Sequence, residues 1–318
     1  MAVCARLQPL FLGCVGFSSV IMLALYHLDM LQGNTEIIHQ LQEQRKQHLR
    51  EMCESVKEEF PEWKRSAEAM SNGELHHILV NDNHGVLYCY IPKVACSNWK
   101  RFMLFLEHGE PYRDPMSFGV HGNPLIKFLK GNPIEMSKAK LKHYTKFLFV
   151  RDPFVRLISA YRNKLQKYVP SFYESYGQLI LKRFGNQSNP AETKDKTLAS
   201  RVFPSFHNFI QFLIDPNTRK PFNEHWSPMY QLCHPCLIKY DFIGHQETLS
   251  EDAEHLLRIL KLGNGIKLSP AYQNVTTKDY LLAWYKPVPL EDRKKLYQLY
   301  EMDFKLFGYP KPVELLDG

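Results

Sequence analysis

The stretch Cys89-Tyr90-Ile91-Pro92-Lys93-Val94-Ala95-Cys96-Ser97-Asn98-Trp99-Lys100-Arg101 decides the fold. Its opening belongs to an apolar run from Val86 to Ile91 that has the pattern of a buried strand and is ended by Pro92. Trp99, Phe102, Met103 and Leu106 then recur at helical spacing. A strand that enters a helix through a short polar turn aims backbone N–H groups and a cationic side chain at an anion. The pattern returns in Phe149-Val150-Arg151-Asp152-Pro153-Phe154-Val155-Arg156-Leu157-Ile158-Ser159-Ala160-Tyr161-Arg162. Here Phe147 to Val150 is the strand and Phe154 to Leu165 the helix, with Asp152 placed as N-cap and Pro153 at the first helical position. Strands joined through helices predict an α/β domain with a central parallel sheet. Two such turns predict a ligand with two separated anionic groups.

The first turn is not a nucleoside-triphosphate P-loop, which needs Gly-x-x-x-x-Gly-Lys-Ser/Thr with its lysine at the loop's end; here the glycines are missing and Lys93 stands at the start. In the second, Arg151 follows the strand directly, where a guanidinium can reach a phosphate by two parallel hydrogen bonds, and Ser159 lies about two helical turns further on. Arg156 can contact phosphate or pair with Asp152 at helical spacing. Trp99 is either part of the loop's binding surface or simply core.

Outward from these motifs, the 318-residue chain is apolar enough for a packed core, which excludes disorder throughout. Its net charge of +7 is unevenly placed: Lys127 to Lys167 holds eleven Lys or Arg against Glu135 and Asp152. That imbalance predicts a polyanionic partner. Leu7 to Leu28 contains no charged side chain and is long enough to cross a bilayer as a helix, without a convincing cleavage site after it. Arg6 precedes the span, and Asp29 and Glu36 are the first charges beyond it, so residues 1–6 are expected in the cytosol and everything after Leu28 in a lumen. A lumenal address makes nucleic acid an unsuitable partner for the basic run. The sequons at Asn186 and Asn274 fit that address as glycosylation sites.

Residues 29–74 are expected to form a helical stem, with Ile37, Ile38, Leu41, Leu49, Met52 and Val56 near helical spacing. A homodimer through this seam is conceivable, although Arg45 and His48 interrupt it. Beyond the stem, residues 75–318 are expected to be the lumenal domain. Within it, 109–133 and 184–197 read as loops, 202–213 and 248–262 as helices, the latter with a capping box of Thr248 and Glu251, and 240–244 as a short strand. A final helix is expected over 290–307. The five cysteines after the span are Cys53, Cys89, Cys96, Cys233 and Cys236, an odd number that leaves at least one thiol free or paired between chains, with Cys53 the intermolecular candidate. Cys233-His234-Pro235-Cys236 lacks the context of a redox or zinc motif. A structural role remains: a local disulfide, or bridges to Cys89 or Cys96.

With Pro221-Phe222-Asn223-Glu224-His225-Trp226, Leu232-Cys233-His234-Pro235-Cys236, Tyr240-Asp241-Phe242-Ile243-Gly244 and Phe307-Gly308-Tyr309-Pro310-Lys311-Pro312, the two turns resemble the Golgi carbohydrate sulfotransferases of the chondroitin 4-O-sulfotransferase group over residues 75–315. The resemblance implies a Golgi membrane protein of single-pass type II and 3′-phosphoadenosine 5′-phosphosulfate (PAPS) as sulfate donor, with no metal. In such enzymes the first motif, here Lys93, Val94, Ala95, Cys96, Ser97, Asn98 and Trp99, holds the 5′-phosphosulfate. The second, here Arg151, Asp152, Pro153, Phe154, Val155, Arg156, Leu157, Ile158 and Ser159, holds the 3′-phosphate. Lys93 would stabilise the leaving phosphate, and His225, or next Glu224, with His143, His234 and His245 as further candidates, would serve as general base toward the 4-hydroxyl of N-acetylgalactosamine in chondroitin or dermatan. Terminal N-acetylgalactosamine on N-glycans is the alternative acceptor, and a non-catalytic glycosaminoglycan-binding membrane protein the alternative class.

Overall fold

The computed structural model describes residues 36–108, 119–120, 122–191, 194–200, 202–218, 221–262 and 277–317. The expected span at 7–28 and the sequon at Asn274 lie outside them. No helix among the described residues is long and apolar enough to cross a membrane. The chain divides into two compact units, Met1–Gln44 and Arg45–Gly318. In the first, the described residues 36–44 are helical (α1).

The second unit is built on a four-stranded sheet in the order β1 (Ile78–Asn81), β2 (Val86–Cys89), β3 (Thr145–Val150), β4 (Phe242–His245). β2, β3 and β4 run parallel, whereas β1 folds back antiparallel on β2. The expected central parallel sheet is therefore a mixed one, parallel over β2, β3 and β4. The hairpin turn at Asp82 to Gly85 explains the exception: Gly85 has φ 60, and Asn81 Oδ1 accepts the His84 N–H at 3.0 Å, closing the turn. All four β1 side chains are buried, so this edge is core.

Two crossovers carry the motifs. After β2 comes α2 (Cys96–His108), which starts three residues before the expected Trp99, and then α3 (Ile134–His143) leads into β3. After β3 comes α4 (Pro153–Lys164), with Asp152 capping its N-terminus as predicted by accepting the Val155 N–H at 2.9 Å. Trp99, 1% exposed, stacks on Phe149 with ring centroids 4.4 Å apart, which fixes α2 against β3. A Cβ at Gly244 would overlap the Phe149 ring. Gly244→Ala is therefore expected to push Phe149 off Trp99 and to destabilise the protein by ~1–3 kcal/mol, read as a lower midpoint in chemical denaturation.

The compact unit begins at Arg45 rather than at Leu75. Leu49, Val56, Trp63 and Met70 join the same core as the sheet. Arg45, which interrupts the seam when the stem is read as a coiled coil, forms an ion pair with the buried Asp252 at 2.8 Å and also donates to the Ile243 carbonyl at 3.0 Å. His48 contacts the Lys305 carbonyl at 2.7 Å. The seam from Leu49 to Val56 is thus covered by the protein's own domain, which removes that part of the candidate dimer surface. Cys53 is also not intermolecular: it bridges to Cys236, and Cys89 bridges to Cys233. A local Cys233–Cys236 disulfide is excluded with it, and Cys96 is left as a free thiol.

Other boundaries follow local chemistry. The expected 202–213 helix runs Phe206–Ile214, because Ser205 and Asn208 form a reciprocal capping box. The box expected at Thr248 and Glu251 does not form; Thr248 Oγ1 donates to Asp252 instead, at 2.7 Å. The last long helix, Leu290–Leu306, matches its prediction. Asn186 is exposed at φ 52 in a turn, a conformation that asparagine tolerates, and the helix Lys194–Ser200 interrupts the loop expected there.

Candidate functional site

The carboxyl ends of β2, β3 and β4 lie side by side, with Cys89 opposite Leu148 and Val150 opposite His245. Ligands of open α/β sheets bind beyond such ends. The loop leaving β2 is strained there: Lys93 has φ 75 and Ala95 φ 50, both in the left-handed region, while Val94 between them is fully buried. Each such residue costs about 1–3 kcal/mol. The loop concentrates donors, since the N–H groups of Val94, Ala95, Cys96 and Ser97 meet no acceptor among the described residues. Converging amides at a helix N-terminus form an anion cradle. Arg151 pins this loop from β3 by donating to the Lys93 carbonyl at 3.1 Å. The cradle and its cations fit the phosphosulfate of PAPS.

Along α4, Val155 and Ser159 are half-exposed and Arg162 exposed on one stripe, and Arg162 donates to the Tyr280 hydroxyl at 2.9 Å. The opposite face, with Pro153, Phe154, Leu157 and Ile158, is buried. Those four side chains and Trp99 are buried, so of the second motif Arg151, Asp152, Val155 and Ser159 are the residues that keep exposed surface. Asp152 also ties α4 to the end of β4, its N–H donating to Glu247 at 2.9 Å. Burial, against the capping amides and aided by Glu247, pushes its carboxyl up to about 6.

Arg156 makes no ion pair with Asp152 among the described residues. It is 1% exposed and clamps three backbone carbonyls, Pro92 at 3.0 Å, Ser227 at 2.7 Å and Glu224 at 2.9 Å. One guanidinium thereby joins the start of the anion loop to the Glu224–Ser227 segment. His225 and Glu224, far from Lys93 in sequence, are thus held beside the loop. The His225 Nδ1 lies 2.8 Å from Asn223 Oδ1, an acceptor, which assigns the proton to Nδ1 and leaves the lone pair on Nε2. Burial, together with Lys164, Lys93, Arg156 and Lys100, holds this imidazole down at about 3, so it is neutral. Glu224 is half-exposed and accepts the Tyr90 hydroxyl at 3.0 Å, with His77 Nε2 at 3.9 Å.

Three site groups escaped sequence reasoning. Lys100 lies one helical turn beyond Cys96 and sits 3.6 Å above the Tyr90 ring. Lys164 ends α4 and sits 4.4 Å above the Phe172 ring. Phe172 precedes a π-helical turn, Tyr173–Gly177, and meets the His225 ring edge-on at 5.1 Å, while Tyr176 packs on Trp226 at 4.8 Å. The aromatic spacing of Phe172 and Tyr176 after Pro170 was the available signal. Conversely, the basic run is less open than its count implies. Lys127 pairs with Glu107, Lys138 with Glu135, Lys140 with Asp82 and Lys146 with Asp241.

Burial brings the Lys93 ammonium down to about 8; Cys96 opposes this, and Lys164, Arg151 and Arg156 add to it. A lysine with a lowered value is cationic below it and loses its charge as pH rises through it. The donor-dependent kcat/KM of the free protein is therefore expected to fall tenfold per unit above about pH 8, as read from initial rates. Among the described residues no group of three or more His, Cys, Asp or Glu could hold a metal ion.

Residues 76–310 match the Sulfotransferase family. The chain belongs to that family. Over 298 residues this sulfotransferase is 46% identical to carbohydrate sulfotransferase 12 of Xenopus laevis, covering 87% of its own length and 70% of the relative's. It is 38% identical over 288 residues to carbohydrate sulfotransferase 11 of Rattus norvegicus, covering 88% and 78%. To carbohydrate sulfotransferase 14 of Danio rerio it is 40% identical over 240 residues, covering 75% and 63%. No solved structure matches. The sulfotransferase thus stands among carbohydrate sulfotransferases, and membership implies PAPS as donor and a carbohydrate acceptor.

Proposed function

We propose that this carbohydrate sulfotransferase acts on the 4-hydroxyl of N-acetylgalactosamine in chondroitin, with dermatan as a related acceptor. The observation that carries the chemistry is the Arg156 clamp, which joins the loop of Lys93 to the segment of His225. PAPS supplies the phosphosulfate whose sulfonate moves to the hydroxyl. The amides of residues 94–97 and Ser97 hold its 5′ end, and Arg151 with Ser159 hold the 3′-phosphate. Lys93 meets the negative charge that builds on the bridging oxygen, a change it stabilises more than the ground state. The Nε2 of His225 accepts the acceptor's proton. Its depressed basicity rises when donor anions neutralise Lys93. Glu224 is the second choice, because Tyr90 already occupies one of its oxygens.

The acceptor rests on the motif resemblance set out above. We also propose a type II Golgi membrane location with the domain lumenal and Asn186 glycosylated. Two disulfides support an oxidising compartment. The test is transfer of labelled sulfate from PAPS to desulfated chondroitin by the full-length chain in detergent, followed by disaccharide analysis. The 4-sulfated disaccharide is expected. Product only at the 6-position, or transfer only to N-glycans, would overturn the acceptor assignment.

A further inference from the structure

The Lys164 ammonium is half-buried and makes no ion pair among the described residues. It is held over Phe172, the ring that also forms the wall of His225. The π-turn after Phe172 fixes this arrangement by packing Tyr176 against Trp226. The cation therefore lies beside His225, within electrostatic reach of Lys93 as well. The lysines at 127, 138, 140 and 146 are neutralised by the protein's own carboxylates, so they leave an acidic acceptor poorly matched there. In an acceptor that alternates hexosamine with uronic acid, each hydroxyl presented to His225 Nε2 carries a carboxylate one sugar away.

We propose that Lys164 is a specificity-determining residue that binds the carboxylate of the uronic acid adjoining the sugar to be sulfated. The proposal rests on the glycosaminoglycan reading given above. The aromatic ring beneath the ammonium keeps it in place while leaving its N–H donors free for an incoming carboxylate. Lys164 serves recognition rather than the transfer step, so its removal should act on acceptor KM.

The experiment compares the full-length chain with Lys164→Met and Lys164→Arg on desulfated chondroitin and on the same polymer with its uronate carboxyls reduced to alcohols. Lys164→Met is expected to raise the KM for the native polymer about tenfold, equivalent to ~1.4 kcal/mol. The KM for PAPS should be unchanged, and Lys164→Arg should restore most of the loss. On the carboxyl-reduced polymer, wild type and Lys164→Met should be equal, the signature of a pairwise contact. An equal loss on both polymers, or a rise in the KM for PAPS instead, would overturn the proposal. A wild-type chain that used neither polymer while sulfating a neutral sugar would overturn the glycosaminoglycan reading, and the proposal with it.

Discussion

Lys93→Ala is expected to lower kcat for sulfate transfer by ~10²–10³-fold, the usual loss when one fixed donor to a developing charge is removed. The residue stands in the loop leaving β2 with φ 75, and the neighbouring amides have no acceptor among the described residues. Its ammonium is aimed by the backbone rather than by a long network, so truncation should remove the charge and leave the fold intact. Alanine also tolerates this φ no worse than lysine does, since both carry a Cβ. Single-turnover transfer from PAPS checks the rate, and thermal unfolding of the same preparation should show an unchanged midpoint. A loss confined to KM for PAPS would mean that Lys93 binds ground state and transition state alike.

The second large effect is structural. Arg156→Met is expected to destabilise the protein by ~3–5 kcal/mol, because it strips donors from three carbonyls and leaves them unpaired in the interior. It also removes the buried cation near Asp303, whose carboxyl burial pushes up to about 6, while the Met229 and Tyr230 amides and Arg156 hold it down. Urea unfolding of the full chain reads the stability. Activity should fall with it, since the clamp sets the separation between the Lys93 loop and the His225 segment. Arg156→Lys should fail to rescue, because one ammonium on a flexible stem cannot reproduce three fixed N–H directions. An unchanged midpoint with a raised KM for PAPS would instead mark Arg156 as a phosphate contact.

The two strand-turn-helix units were legible because each is local. A β-run ended by Pro92, and an Asp-Pro cap at 152 and 153, are signals contained within a few residues. The final helix was legible from its periodicity alone. By contrast, β1 is only four residues long and all of it is buried, so it shows no alternation and passes for generic apolar chain. The π-turn at 173–177 also escaped, because the period shifts within it and the aromatic face does not repeat at helical spacing.

Of the candidate site, Lys93, Arg151 and Ser159 were placed by motif, and their donor chemistry follows from residue type and position after a strand. The sequence by itself determined the α/β class, the two strand-turn-helix units and the capped start of α4, since these depend on interactions over one or two turns of chain. Tertiary structure alone decided which cysteines pair, with Cys53 and Cys236 separated by 183 residues. It turned Arg156 from a presumed phosphate or Asp152 partner into a clamp on backbone from 64 to 71 residues away. It also neutralised much of the basic run and left Lys164 free beside His225. The physical reason is common to all three: the charge and shape complementarity that selects a partner acts through space, and local spacing carries no record of what the fold brings alongside.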